Sequence, residues 1–258
     1  MKKKDNKKTF PIIIALIFLI IITIVLIYIK VVPLYSVSDR VQALEKKQRE
    51  DDTVLGWLKV QGTNIDYPVV YSETEKFENE EYDYDYLWTN SDSEKLNSRV
   101  IIWGHNIRNV SPHPLINEKT FNYFENLPSF LYYDFVKDNK YIQYTIDGKN
   151  YLYKIYAVSM VDKNEFSNNE YMIGKDKKKY IDQTLKESYF NFDARVGEKD
   201  DLITLATCTR FLGNDVLIIK VDGVRVKDNE KIKNYKVTKN NKNYSEIEKI
   251  MKGDDENE

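Results

Sequence analysis

Tyr141-Ile142-Gln143-Tyr144-Thr145-Ile146, then Asp147-Gly148, then Lys149-Asn150-Tyr151-Leu152-Tyr153-Lys154-Ile155-Tyr156-Ala157-Val158-Ser159-Met160-Val161 decides how this chain folds. Residues 141–146 and 150–161 are rich in the β-branched and aromatic side chains that fit a pleated surface. The Asp-Gly pair between them is the sequence a two-residue hairpin turn requires, because both central residues take positive φ. The same pattern recurs outward from this hairpin. Residues 55–60 and 65–70 are strand-like and separated by Gln61-Gly62-Thr63-Asn64, and residues 100–103 form an apolar run that stops at Gly104. Two more runs cover residues 202–207 and 216–226. Helical spacing is confined to residues 38–49, with Ser38 as the N-cap, residues 120–127, and residues 175–188, with Ile181 and Leu185 facing inward. The polar, tyrosine-rich stretch 72–97 reads as loop. Strands outnumber helices, which predicts a mostly β fold: an antiparallel barrel or sheet with peripheral helices.

Charge and hydropathy then set the compartment. Met1 to Lys8 carries five lysines against one acid, and the twenty residues from Phe10 to Ile29 hold no charge. About 20 apolar residues at a rise of about 1.5 Å each span a bilayer's hydrocarbon layer, so residues 10–30 read as a transmembrane anchor. The lysines stay on the cytoplasmic side, leaving the rest of the chain outside the cell. A cleaved signal peptide fits less well, since no A-x-A-like site follows in Lys30-Val31-Val32-Pro33-Leu34-Tyr35. The formal net charge of -2 shows no basic excess and argues against nucleic acid as a partner.

An exported chain with one cysteine has no internal disulfide to make. Cys208 is therefore incidental, an intermolecular linker or a reactive thiol. It ends the run Leu202-Ile203-Thr204-Leu205-Ala206-Thr207, and His105 ends the run Val100-Ile101-Ile102-Trp103-Gly104. A thiol becomes a useful nucleophile beside a proton acceptor, which His105 supplies if the two strand ends meet. His113, in Ser111-Pro112-His113-Pro114, reads as a solvated loop residue. One cysteine and two histidines without ligand spacing cannot build a closed zinc site, so neither metal nor cofactor is expected.

Thr204-Leu205-Ala206-Thr207-Cys208 resembles the T-L-x-T-C signature of sortases, and Trp103-Gly104-His105-Asn106 resembles their histidine segment. Gly56-Trp57-Leu58-Lys59-Val60 with Gly62-Thr63-Asn64-Ile65-Asp66-Tyr67-Pro68-Val69-Val70 is similar to the opening of class B members, and the likeness runs over about residues 40–226. The resemblance implies an eight-stranded sortase-type β-barrel with an N-terminal helical part. With the apolar and charged ends read above, the chain divides into a basic tail (1–9), the anchor (10–30), a helical stalk (31–53), a catalytic domain (54–227) and a charged flexible tail (228–258). It implies a cysteine transpeptidase that cleaves an N-P-x-T-like C-terminal sorting signal of a secreted protein after Thr. The acyl-thioester on Cys208 would pass to an amine of peptidoglycan or its lipid-linked precursor. His105 would move the protons, and Thr207 and Asn106 would touch substrate.

The family's arginine, near the start of the strand after the cysteine, meets an apolar Val216-Leu217-Ile218 here. Arg210, two residues past Cys208, is the replacement expected to stabilise the oxyanion, with Lys220 or a backbone N–H as substitutes. Ala206 stands where many class B members have serine. A thiol peptidase that only hydrolyses, and a surface-tethered binding domain without catalysis, are the competing readings.

Overall fold

The computed structural model describes residues 13–23, 37–72, 86–90, 98–106, 122–209, 217–232 and 234–252. Within 37–252 the chain runs α1 (Val41–Glu50), β1 (Val54–Val60), β2 (Asp66–Tyr71), β3 (Leu87–Thr89) and β4 (Arg99–Gly104). A 3₁₀ helix (Tyr123–Leu131), the short α2 (Tyr133–Val136), β5 (Tyr141–Ile146), β6 (Lys149–Asp162) and α3 (Gly174–Glu187) follow. The last elements are β7 (Phe190–Phe192), β8 (Leu202–Thr209), β9 (Leu217–Arg225), β10 (Val237–Lys239) and α4 (Asn241–Lys252).

Eight strands close a barrel in the order β1-β2-β3-β4-β8-β9-β6-β5. The expected hairpin turns at two residues: Asp147 and Gly148 have φ of 50° and 68°, and the register runs from Ile146↔Lys149 to Tyr141↔Lys154. Alternation is clearest in β1, where Val54, Gly56, Leu58 and Val60 point inward. Most pairings are antiparallel; β2–β3 and β4–β8 are parallel. Leu58, Ile102, Ile142, Leu205 and Val221 fill the barrel, all essentially without solvent contact.

On the outside of β1, Asp66 ties α1 to the barrel. Arg40 reaches its two carboxylate oxygens through Nε and Nη2 (2.9 and 2.6 Å), and Trp57 Nε1 donates to one of them at 2.7 Å. Burial pushes the Asp66 carboxyl up, but these bonds outweigh it and hold the group below the usual carboxylate range.

Several expectations are corrected. The α1 amide of Val41 is capped by Asp39 Oδ1 (3.0 Å); the Ser38 hydroxyl instead accepts from Lys59 Nζ at 2.7 Å. Ile181 is buried as expected, but Leu185 is 42% exposed, and Lys177 and Thr184 are the other buried residues of α3. The stretch 72–97 contains β3, whose three residues are all buried; residues 73–85 and 91–97 lie outside the described ones. The flexible tail 228–258 is replaced, over residues 235–252, by β10 pairing with β7 and by α4. Tyr244, Ile247 and Met251 recur at helical spacing and bury one face of α4, with Tyr244 packed 4.9 Å from the Phe190 ring. Charge on the other face conceals this stripe when composition alone is read.

Residues 13–23 are helical and expose apolar side chains, Phe18 to 66%. Among the described residues, no helix is long and apolar enough to cross a membrane. The rest of the expected anchor lies outside the described residues.

Tyr244→Ala should lower the unfolding free energy by about 3 kcal/mol, read as a lower urea midpoint with little change in slope. A solvated tail predicts no shift.

Candidate active site

The site grows out of one strand pair. β4 and β8 run parallel from Arg99↔Leu202 to Trp103↔Ala206, and Thr207 Oγ1 donates to the Gly104 carbonyl at 2.7 Å. Carried two residues further, the same register sets His105 opposite Cys208, on strands that lie ~4.8 Å apart. Side chains alternate, so Gly104 turns inward while Trp103 and His105 turn outward, on the face that Ala206 and Cys208 share. The glycine is required by that inward turn. A Cβ on Gly104 would lie 2.5 Å from Leu87 Cδ2 and 2.8 Å from the Phe124 ring.

Beside Cys208, which is half-buried, opens a cavity of about 340 Å³. Among the described residues its walls include Trp88, Trp103 and Phe166, with Asn90, Lys163 and Asn168 as polar points. Trp88 tilts against the His105 imidazole with centroids 5.0 Å apart, and Tyr86 meets the same ring edge-on at 6.5 Å. Burial among these rings holds His105 below the ordinary imidazole value, so at neutral pH the ring is a neutral proton acceptor. A thiol and a neutral imidazole at adjacent strand ends can perform nucleophilic acyl transfer.

The other expected site residues fare differently. Thr207 is buried and bonded to Gly104, so its hydroxyl ties the two strands together and does not line the cavity. Asn106 is half-buried at the end of its described segment. Arg210 and His113 lie outside the described residues. Lys220 is buried under α3, where its ammonium bonds Thr184 Oγ1 at 3.2 Å and lies 3.5 Å from Glu187 and 3.7 Å from Asp222. Burial alone would push its pKa down; Tyr180, Asp222 and Glu187 outweigh that, so it stays protonated and engaged there.

Sequence reading missed the polar ladder deeper on this outer face. Arg99 Nε donates to Thr204 Oγ1 at 2.8 Å, and both Thr204 and Tyr180 donate to Asp222 Oδ1 at 2.6 and 2.7 Å. Its signal was present: Lys220 and Asp222 share one face of an otherwise apolar strand.

A β-barrel that brings a thiol and an imidazole to neighbouring strand ends belongs to the cysteine-histidine acyl-transfer enzymes. Residues 58–221 match the Sortase domain family, and the chain belongs to that family. Sortase B of Staphylococcus aureus is 26% identical over 181 residues, 67% of this chain and 68% of that protein. Sortase B of Listeria monocytogenes is 27% identical over 185 residues, with the same coverage of each. A Staphylococcus aureus sortase B–substrate complex superposes with a TM-score of 0.60 at 21% identity, covering 72% of this chain and 86% of that one. The class B resemblance therefore stands, and the chain is a sortase-type transpeptidase.

An NMR titration should give His105 a midpoint below 6.5, and Trp88→Ala should raise it toward that value by opening the ring to water. The sign follows: between 6.5 and the folded value the unfolded chain takes the proton first, so stability declines as pH falls through that window. Gly104→Ala should cost about 1–3 kcal/mol and lower turnover at the same time, because relief of the clash moves the His105 strand end.

Proposed function

We propose that Cys208 is the nucleophile and His105 the general acid and base of a membrane-anchored class B transpeptidase. The parallel register that sets the two residues opposite each other carries the reading. The neutral imidazole takes the thiol proton as sulfur attacks the carbonyl carbon of the Thr residue in a sorting signal. The oxyanion so formed collapses, the C–N bond breaks, and the imidazolium protonates the leaving amine. Cys208 is left as the thioester. An amine of peptidoglycan or its lipid-linked precursor then attacks, gives its proton to His105, and leaves as the new amide while the thiol is restored. Arg210, two residues past Cys208 in the sequence, is assigned to the oxyanion.

An N-P-x-T-like signal is the substrate suggested by the class B likeness, and the solved complex with a substrate is of a relative in that class. Residues 10–30, uncharged as far as Ile29, anchor the chain, with the lysines before them in the cytoplasm and the barrel outside.

The test is incubation of the purified protein with N-P-x-T-N-, S-P-x-T-G- and L-P-x-T-G-type peptides, with and without an amine, followed by intact mass. An acyl-enzyme and amine-dependent ligation are expected, strongest with the first peptide. Cys208→Ala should abolish the adduct and reduce turnover by on the order of 10³-fold or more. Arg210→Ala should cost on the order of 10²–10³-fold in kcat, and undiminished turnover would remove it from the oxyanion role. Cleavage indifferent to amine would instead make the protein a thiol peptidase. No adduct with any peptide would leave a binding domain.

A further inference from the structure

Residues 163–173 join β6 to α3 and contribute Lys163, Phe166 and Asn168 to the Cys208 cavity. Behind them lies a second cavity of about 450 Å³, and Phe166 borders both. Phe166 packs on Ile101, Val161, Ala206 and Ile218 with the Trp103 ring 4.9 Å away, and the backbone on either side of it is held by polar attachments.

Those attachments come from the two strands that carry His105 and Cys208. Arg99, the first residue of β4 and fully buried, donates from Nη1 to the Ser167 carbonyl at 2.7 Å and to that of Asn169 at 3.4 Å. Its Nε is held by Thr204 of β8, and its guanidinium stacks 4.3 Å from the Tyr180 ring of α3. The Arg99 amide donates to the Glu170 carbonyl at 3.2 Å. Glu170 itself is 3% exposed, and its Oε1 accepts from the Ile101 amide at 3.3 Å. In the orientation that satisfies both groups, the Asn90 amide nitrogen donates to both Glu170 carboxylate oxygens at 2.9 Å. Asn90 follows β3 and lines the cavity, so Glu170 links residues 163–173 to the end of β3 as well as to β4.

We propose that Arg99 and Glu170 are positioning residues that clamp residues 163–173 against β4 and β8, and so set the width of the groove that receives the sorting peptide. The proposal rests on the transpeptidase reading for its substrate. The clamp itself touches neither sulfur nor imidazole. Its loss widens the groove without changing the reacting pair, and the effect falls on peptide binding.

The experiment compares Glu170→Gln, Arg99→Met and Arg99→Lys with the wild type in three measurements. They are peptide kinetics, the rate of Cys208 alkylation by iodoacetamide, and backbone hydrogen exchange over residues 163–173. Glu170→Gln keeps the size and the Ile101 bond while turning an N–H toward Asn90, so it carries the test if Arg99→Met does not fold. KM should rise at least about tenfold with kcat within about threefold, alkylation should stay within about twofold, and exchange in the segment should quicken about tenfold. Arg99→Lys, which reaches a carbonyl but cannot bond Thr204 at the same time, should recover part of the loss. An unchanged KM, or kcat and alkylation falling as KM rises, would overturn the clamp. If the wild type processes no sorting peptide, the transpeptidase reading fails separately. Exchange then decides: faster exchange upholds the clamp and unchanged exchange ends it.

Discussion

The parallel pairing of β4 with β8 is the constraint on which the rest of the molecule depends. Parallel neighbours cannot be joined by a hairpin, so the chain must leave one end of the sheet and return to the other. Here that return takes the 3₁₀ helix, the β5–β6 hairpin, α3 and β7, and it separates Gly104 from Thr207 by 103 residues. What this long excursion secures is direction. Two parallel strands finish at the same edge, so residues just past their ends come together, whereas antiparallel strands would put one end beside the other's beginning. Barrel closure then fixes the register, because a slip of one residue would turn Ile102 and Leu205 out of the core and His105 and Cys208 into it.

That dependence explains what was readable in the sequence. The Asp-Gly turn, the alternating β1 and the apolar runs ending at Gly104 and Cys208 are local signals, and the observed strands begin and end within one or two residues of them. Closure into eight strands is a non-local property and entered through family resemblance. β3 escaped because three buried residues sit in a long polar, tyrosine-rich stretch. α4 escaped because a narrow apolar stripe is diluted by lysine and glutamate. Ser38 was misread for a different reason: Asp39 is equally able to cap, and only the approach of Lys59 decides between them. Of the site, Cys208 and His105 were legible as strand-end residues. Thr207 was read as a substrate contact, although a strand residue before an outward-facing one must point inward.

The buried charges on the outer face also follow from how the barrel is covered. β4, β8, β9 and β6 carry an apolar layer of Ile101, Ala206, Ile218 and Val161 under Phe166, then a polar layer of Arg99, Thr204, Asp222 and Lys220 under Tyr180. Burying an ion pair brings little net stability, since desolvation offsets most of the attraction. What it brings is selectivity of arrangement. A greasy face would accept the covering segment in several positions, whereas a buried guanidinium whose Nη1 bonds two carbonyls of residues 163–173 accepts one.

The aromatic surroundings of His105 impose the last condition on the chemistry. Burial disfavours the imidazolium, so the resting imidazole is neutral. A neutral imidazole needs no counter-charge while the groove is empty. In the proposed cycle the imidazolium forms during attack on the peptide and again when the acceptor amine attacks, each time with an oxyanion nearby to stabilise it. Trp88 therefore does two things through one contact at 5.0 Å. It walls the cavity, and it keeps the proton from settling on His105 before a substrate gives it somewhere to go.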